Sequence, residues 1–492
     1  MPSRMKPLIP SLILSLLPFL CAGKDGLAAT EQPEAANVSA VMLTAVEFFR
    51  TKLASDGGYA SSWDDDLRFG YTEHNKSRTV ISIQPDGTTT VGLAMLKAYH
   101  ATGEKTCLEG ARAAVRALID CQLASGGWTS DFDFGKGDPE RYHLRRHVLA
   151  GDTDPGKRKF RSTLDDNKTQ SALLLLLELA YLPEEKDNQD LQESLQYGLD
   201  RLLSSQTFIG AWPQQFSGPA SGNETIIKAS LPDSWSKTWP DQPYSQLATL
   251  NDDNLVRILD VLLRAHALSG EVRYLDSARR LGDFLLLAQL PAPQPGWAQQ
   301  YNEAMQPAWA RKFEPPALSA RESYGAIEAL FKLWVATGDE KYRESIPTAL
   351  TWLEKVRLPD GQWARFYELG TDRPLYCHAD TYEITYDDSD LPTHYGFKIE
   401  SSLMSKIERM RKDLERPREE IQKSNAAPDS EERWAKAARG LVEKVNKALR
   451  SVADDGVWHS SGKIEASLFV KNLNAMALYY EAATKAGDLF PK

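Results

Sequence analysis

The sequence predicts an all-α protein, a ring of repeated helix hairpins of the α/α-toroid kind. Three observations predict it. Apolar residues recur three and four apart over most of the chain, while strand-like alternation is scarce. Helical runs end repeatedly in a turn that joins glycine to an aromatic: Gly57-Gly58-Tyr59, Gly126-Gly127-Trp128, Gly210-Ala211-Trp212, Gly296-Trp297, Gly361-Gln362-Trp363 and Gly456-Val457-Trp458. Between these turns the pattern is mostly two helices. Hairpins whose apolar faces cannot be buried singly must stack or close into a ring. Six turns fit a closed ring, with the aromatics gathered at one end around a cleft. There each aromatic is a core plug or a stacking surface for a sugar ring.

The first residues do not belong to this fold. Arg4 and Lys6 precede an apolar run from Leu8 to Leu20, then small residues at Ala22, Gly23, Ala28 and Ala29. That is the pattern of a secretory signal peptide, too short to span a membrane comfortably. Residues 1–29 are expected to be removed, leaving residues 30–492 as one toroid in a secreted or periplasmic monomer. Cys21 admits a lipoprotein reading that the bulky Leu20 disfavours. The clearest repeat covers residues 88–128. Val91, Met95, Ala98 and Tyr99 mark one helix face, Gly103 is a C-cap, and Leu108, Ala111, Val115, Leu118 and Ile119 mark a second helix. The same grammar returns over 170–206, over 256–290 with a break at Gly270, and over 324–356 with a break at Gly338. Residues 437–449 and 468–483 restore the pattern at the end. Two stretches depart from it. Residues 136–168 form a long connection rich in base, a solvated loop or the rim of an anion-binding cleft. Residues 402–433 are highly charged and interrupted by Pro417 and Pro428, as in a surface helix pair or a flexible insertion.

Composition narrows function. Of 492 residues, 42% are hydrophobic and 26% charged, ordinary for a globular protein. The net charge of -10 argues against a nucleic-acid partner, and against any polyanionic substrate unless a local basic cleft or bound cation reverses the field. Beyond the leader only Cys107, Cys121 and Cys377 remain, so at most one internal disulfide can form. No C-x-x-C pair, HExxH or glycine-rich phosphate loop appears, which disfavours structural zinc, zincin chemistry and nucleotide binding.

Two acidic motifs look alike. Thr163-Leu164-Asp165-Asp166-Asn167 precedes one hairpin, and Thr249-Leu250-Asn251-Asp252-Asp253-Asn254 precedes the next. A single copy is most simply a helix cap. Two copies in successive repeats of a ring place paired carboxylates over one cleft, where hard oxygens suit Ca²⁺. The same pair also fits the acid and base of an inverting glycosidase, whose carboxyls stand roughly 6.5–9.5 Å apart. Further on, Arg311 and Lys312 lie beside Phe313 and Glu314, and Pro315-Pro316 stops any helix until about Ser319, where Glu322 completes a capping-box pattern. In Trp363 to Tyr376, Arg365 and Arg373 flank aromatics, and guanidinium groups are natural bidentate partners of sugar carboxylates. Either arginine could equally pair with Glu368 or Asp372.

These stretches, namely TLDDN, AWPQQF, LNDDNLVRILDVL, ARKFEPPALSARES and WARFYELGTDRPLY, resemble the motifs of the family 10 pectate lyases (pectic acid lyases) in the same order, over Thr163 to Phe397. QPDGTTTVG and SGGW upstream are similar to the additional N-terminal part of bacterial members. The resemblance implies a helical toroid that cleaves polygalacturonate or pectin oligosaccharides by β-elimination. It implies Asp165 and Asp252 as ligands of a Ca²⁺ that bridges enzyme and substrate, Arg311 as Brønsted base, and Arg373 as the arginine that binds the substrate carboxylate. Lys312, Arg365 and Trp212 are expected to meet substrate beside them. Arginine is normally always protonated, so local chemistry alone favours Lys312 or His378 as base. Tyr376-Cys377-His378 replaces the family's serine-glycine turn. A toroid glycoside hydrolase using the two carboxylates, or a non-catalytic polysaccharide-binding ring, are the competing readings.

Overall fold

The computed structural model describes residues 32–135, 137–222 and 225–490. The leader expected over 1–29 lies outside the described residues, as does Lys136 of the basic segment. The fold is an α/α toroid. Helices Thr88–Thr102, Lys168–Ala180, Asn254–Ser269 and Ala320–Thr337 pack side by side in chain order, and the last long helix, Ala466–Lys485, packs back against Thr88–Thr102. Between Ala320–Thr337 and Ala466–Lys485 stand Ser402–Leu414, Arg418–Asn425 and Glu431–Arg439. The inner positions follow from composition. Lys168–Ala180 carries a run of leucines and is buried nearly all round, whereas its partner Gln189–Ser204 buries one stripe, Leu191, Leu195, Leu199 and Leu202. Lys105–Asp120, Val272–Ala288, Ile346–Lys355 and Val442–Ser451 are the corresponding one-faced partners. Gly103, Gly270 and Gly338 end their helices in the left-handed region, as C-cap glycines do.

One outer helix has no counterpart in the sequence reading. Ala35–Phe48 buries Val38, Met42, Ala45 and Val46 against the first and last repeats. The charged stretch 402–433 is wall rather than flexible insertion: Leu403, Ile407, Met410, Leu414 and Ile421 are buried, and Arg411 holds Glu354 with two bonds of 2.7 Å. Cys107, Cys121 and Cys377 are buried and free.

The tryptophan turns have a repeated physical cause. A helix leaves its last carbonyls without partners. Five indole N–H groups donate to such carbonyls: Trp128 to Leu118, Trp212 to Leu202, Trp297 to Leu285, Trp363 to Leu353 and Trp458 to Ala448, at 2.7–2.9 Å. At Gly210, φ is +96° and a Cβ would collide with the Arg280 carbonyl, so the turn needs glycine. Three residues past five of the six turn aromatics the chain pairs with a short strand that leads into an inner helix. Asp131 opposes Ser82, Gln215 opposes Thr163, Gln300 opposes Thr249 and Phe366 opposes Ser319. Ser62 opposes Glu465 in the same way, which joins the two ends of the chain and closes the ring. This common register places Asp166, Asp252 and Glu322 at equivalent positions, each three residues past its paired Thr163, Thr249 or Ser319.

Candidate active site

Two acidic loops meet at the N-terminal ends of neighbouring inner helices. Residues 165–167 and 251–253 each form a 3₁₀ turn that breaks into the left-handed region: φ is 48° at Asp166 and 53° at Asp252, then 61° at Asn167 and 59° at Asp253. Asp and Asn tolerate that conformation better than other non-glycine residues, which accounts for the composition of both motifs. Gln170 locks the loops together, donating from Nε2 to the Leu164 carbonyl at 2.8 Å and to Asn254 Oδ1 at 2.7 Å. Carboxylate oxygens of Asp165, Asp166 and Asp252 consequently lie within 4.8 Å of one another. Asp166 is the member that the family resemblance does not imply as a ligand. Counting from each Thr-Leu pair aligns it, and not Asp165, with Asp252.

Fixed donors surround these carboxylates. Gln214 Nε2 donates to Asp165 Oδ1 at 2.8 Å, and Lys168 Nζ lies 3.4 Å from Asp165 and 3.3 Å from Asp166. Asn251 Nδ2 donates to Asp252 Oδ2 at 2.6 Å, while Arg321 and Arg365 each approach Asp252 Oδ1 at 3.6 Å. Burial nevertheless pushes the Asp252 carboxyl up to about 6, with Glu322 and Asp166 adding to the push against the two arginines.

Arg365 acts from behind this cluster. It is only 4% exposed, and its Nη2 donates to Glu322 Oε1 and Asn251 Oδ1, both at 3.0 Å. The expectation of direct substrate contact is therefore corrected: Arg365 is shut off from solvent and orients the acidic loop. Neither Glu368 nor Asp372 is its partner. Glu322 is corrected likewise. Its helix does begin at Ala320, but the carboxylate turns inward to the Ser319 hydroxyl and Arg365 and does not close a capping box.

Arg311 stands on the next wall. Its Nε and Nη2 donate to Glu314 at 2.8 and 2.6 Å, and its backbone N–H donates to the same carboxylate at 3.0 Å. Glu314 is 1% exposed and also accepts from Gln299 and the Tyr395 hydroxyl. The acid partner of Arg311 is thus buried, three residues away. Burial opposes the Arg311 charge, but the Glu314 contacts outweigh it and hold the guanidinium protonated; Glu314 is held below the usual carboxylate range by the same pair. The Tyr395 ring joins the two regions, with the Arg365 guanidinium 4.5 Å from its centroid and that of Arg311 5.2 Å. Tyr395 had no signal in the sequence beyond being aromatic.

The remaining expected residues divide. Arg373 is exposed, makes no ion pair among the described residues, and lies 3.5 Å from the Tyr386 ring centroid. Tyr386 is fixed by its hydroxyl, which donates to Glu368 and accepts from Lys237, both at 2.7 Å. Lys312 is exposed above Tyr382. His378 lies 3.6 Å from Asp390. Trp212 is 0% exposed with its indole committed to Leu202, so it plugs the core and cannot stack on a sugar; the expectation that it meets substrate is corrected on that ground.

The sequence matches the family model described as pectic acid lyase over residues 133–407, a span that holds both acidic loops, Arg311 and Arg373. The chain belongs to the pectic acid lyase family. It is therefore a polysaccharide lyase that acts on pectate, and neither the hydrolase nor the non-catalytic reading is favoured. No curated protein matches this pectic acid lyase. Solved structures similar to it include a family 10 polysaccharide lyase from Cellvibrio cellulosa, 19% identical, covering 60% of this chain and 91% of that one at a TM-score of 0.42. A mutant family 10 lyase from the same organism, in complex with trigalacturonic acid, is 19% identical over 65% of this chain and 98% of that one, at 0.43. A glycoside hydrolase family 76 mannosidase from Bacteroides thetaiotaomicron is 11% identical over 91% and 98%, at 0.43.

Proposed function

We propose that this lyase cleaves polygalacturonate and its oligosaccharides by Ca²⁺-assisted β-elimination, as an exported monomer. The observation that carries the reading is the convergence of Asp165, Asp166 and Asp252, bridged through Arg365 and Tyr395 to Arg311. The donor set fits the ion: three carboxylates offer hard oxygens, fewer than the six to eight that Ca²⁺ takes, which leaves positions for water and uronate oxygens. A bound Ca²⁺ would neutralise the uronate carboxylate and make the adjacent C5–H more acidic.

Arg373, exposed and steadied by Tyr386, binds a substrate carboxylate through its paired N–H groups. Arg311 faces the C5 hydrogen. As C5–H breaks, its proton passes to Arg311, the electron pair forms the C4=C5 double bond, the C4–O bond breaks, and the departing oxygen takes a proton from water. Arg311 accepts that proton only as the neutral guanidine, so the guanidinium must first release a proton to solvent, against the Glu314 pair that holds it charged. Export rests on residues 1–29; among the described residues no helix is long and apolar enough to cross a membrane.

The test is incubation of the mature chain with polygalacturonate, with Ca²⁺ or chelator, following ultraviolet absorbance and reducing ends together. Both are expected to rise only with Ca²⁺. Activity that is indifferent to chelator rejects the cation, and reducing ends without absorbance reject elimination. Sedimentation of the same sample reads the oligomeric state.

A further inference from the structure

Lys168 opens the helix that follows the first acidic loop, and its side chain turns into the carboxylate cluster. It is 3% exposed, and Nζ lies 3.4 and 3.3 Å from Asp165 and Asp166, two of the three residues whose oxygens converge. The backbone-equivalent position in the second loop is Asn254, which is neutral and bound to Gln170. So one position of the repeat, and one loop only, carries a buried ammonium. The oxygens it leaves are partly committed too: Asp165 Oδ1 accepts from Gln214 and Asp252 Oδ2 from Asn251.

We infer that Lys168 is a resident cation that competes with the divalent ion for these carboxylates and so sets how weakly the free enzyme holds it. The inference rests on the calcium reading above. Two cations sharing the same oxygens repel at short range, here in a half-buried site. A divalent ion entering the cluster must displace Nζ from Asp165 and Asp166 or use fewer of their oxygens, and either weakens binding. Uronate carboxylates arriving with substrate restore the missing negative charge.

The experiment is a Ca²⁺ titration of the full mature chain without substrate, by calorimetry, on wild type, Lys168→Met, Lys168→Arg and Lys168→Met combined with Asp166→Asn. Methionine keeps the length and drops the charge. Thermal melts confirm that each variant is folded, and Lys168→Gln replaces the methionine variant if it is not. Lys168→Met is expected to bind at least tenfold more tightly than wild type, Lys168→Arg to stay near wild type, and Asp166→Asn to remove the gain. An unchanged or weaker affinity in the folded charge-free variant overturns the role of Lys168 while leaving the cation site standing. No binding by any variant at millimolar Ca²⁺ overturns the cation site and the inference with it.

Discussion

Residues 165–168 and 251–254 trace one backbone path in two successive repeats, down to consecutive left-handed residues at Asp166-Asn167 and Asp252-Asp253. Their side chains differ where it counts electrically. The first loop presents Asp165, Asp166 and the buried Lys168; the second presents Asn251, Asp252 and Asp253, with its positive charges supplied from elsewhere by Arg321 and Arg365. A repeat can thus copy a conformation faithfully while substituting charges at fixed positions. The backbone makes the positions equivalent, and the substitutions make one site of two loops. The third wall, with Arg311 and Glu314, has no such twin, and the first prediction asks how far the loops depend on it.

Arg311→Ala is expected to lower turnover of polygalacturonate by roughly 10³-fold or more, with both acidic loops intact. It also strands a buried carboxylate, so unfolding stability should fall by about 3 kcal/mol. Adding Glu314→Gln should restore much of that stability and none of the activity. Recovery of turnover in the double variant would remove Arg311 from the chemistry. Next, Asp166→Asn and Asp252→Asn are each expected to weaken Ca²⁺ in a calorimetric titration by at least tenfold, since backbone equivalence makes them a pair; a silent Asp166→Asn would confine the equivalence to the backbone. Asn167→Ala and Asp253→Ala, at the matching left-handed positions, should each cost about 1 kcal/mol in urea unfolding. Losses that differ severalfold would show that the two turns are strained differently.

The smallest effect lies at the seam where the ring closes. His459 donates or accepts across the ends of the chain, 2.9 Å from Asp65 and 2.9 Å from Asp455. Burial pulls its pKa down, but the two carboxylates outweigh this and raise it. A histidine whose folded pKa is raised stabilises fully below its unfolded value, and the stabilisation is lost as pH rises through the folded value. Between pH 6 and 9, wild type should lose a few tenths of a kcal/mol, about the worth of a partly exposed ion pair, relative to His459→Gln. Melting curves across that range read the difference, and parallel profiles for the two proteins would remove His459 from the seam.

Much of this was legible in residue order. The helix hairpins, the C-cap glycines and the aromatic turns follow from local periodicity and from glycine's freedom at positive φ. The resemblance singled out Asp165, Asp252, Arg311 and Arg373 because its motifs are short and contiguous. The corrections are long-range. The motif around Trp212 points to a sugar ring, but what an indole faces depends on which helix end needs a donor. The motif around Arg365 points to substrate, but burial beneath Asn251 and Glu322 joins segments more than forty residues apart. Counting from each Thr-Leu pair aligns Asp166 with Asp252, and the paired strands add that the two stand at one register of the ring.

The sequence by itself determined the repeat, the toroid and the residue types at the cleft, since helix periodicity, capping and turn chemistry act within a few residues. Tertiary structure decided which of those residues meet. Strand register made Asp166 the partner of Asp252, ring closure brought residue 62 to residue 465, and the buried pairs of Glu314 with Arg311 and Glu322 with Arg365 set where charge is held. Those are decisions of burial and Coulomb interaction between distant segments, which no local pattern encodes.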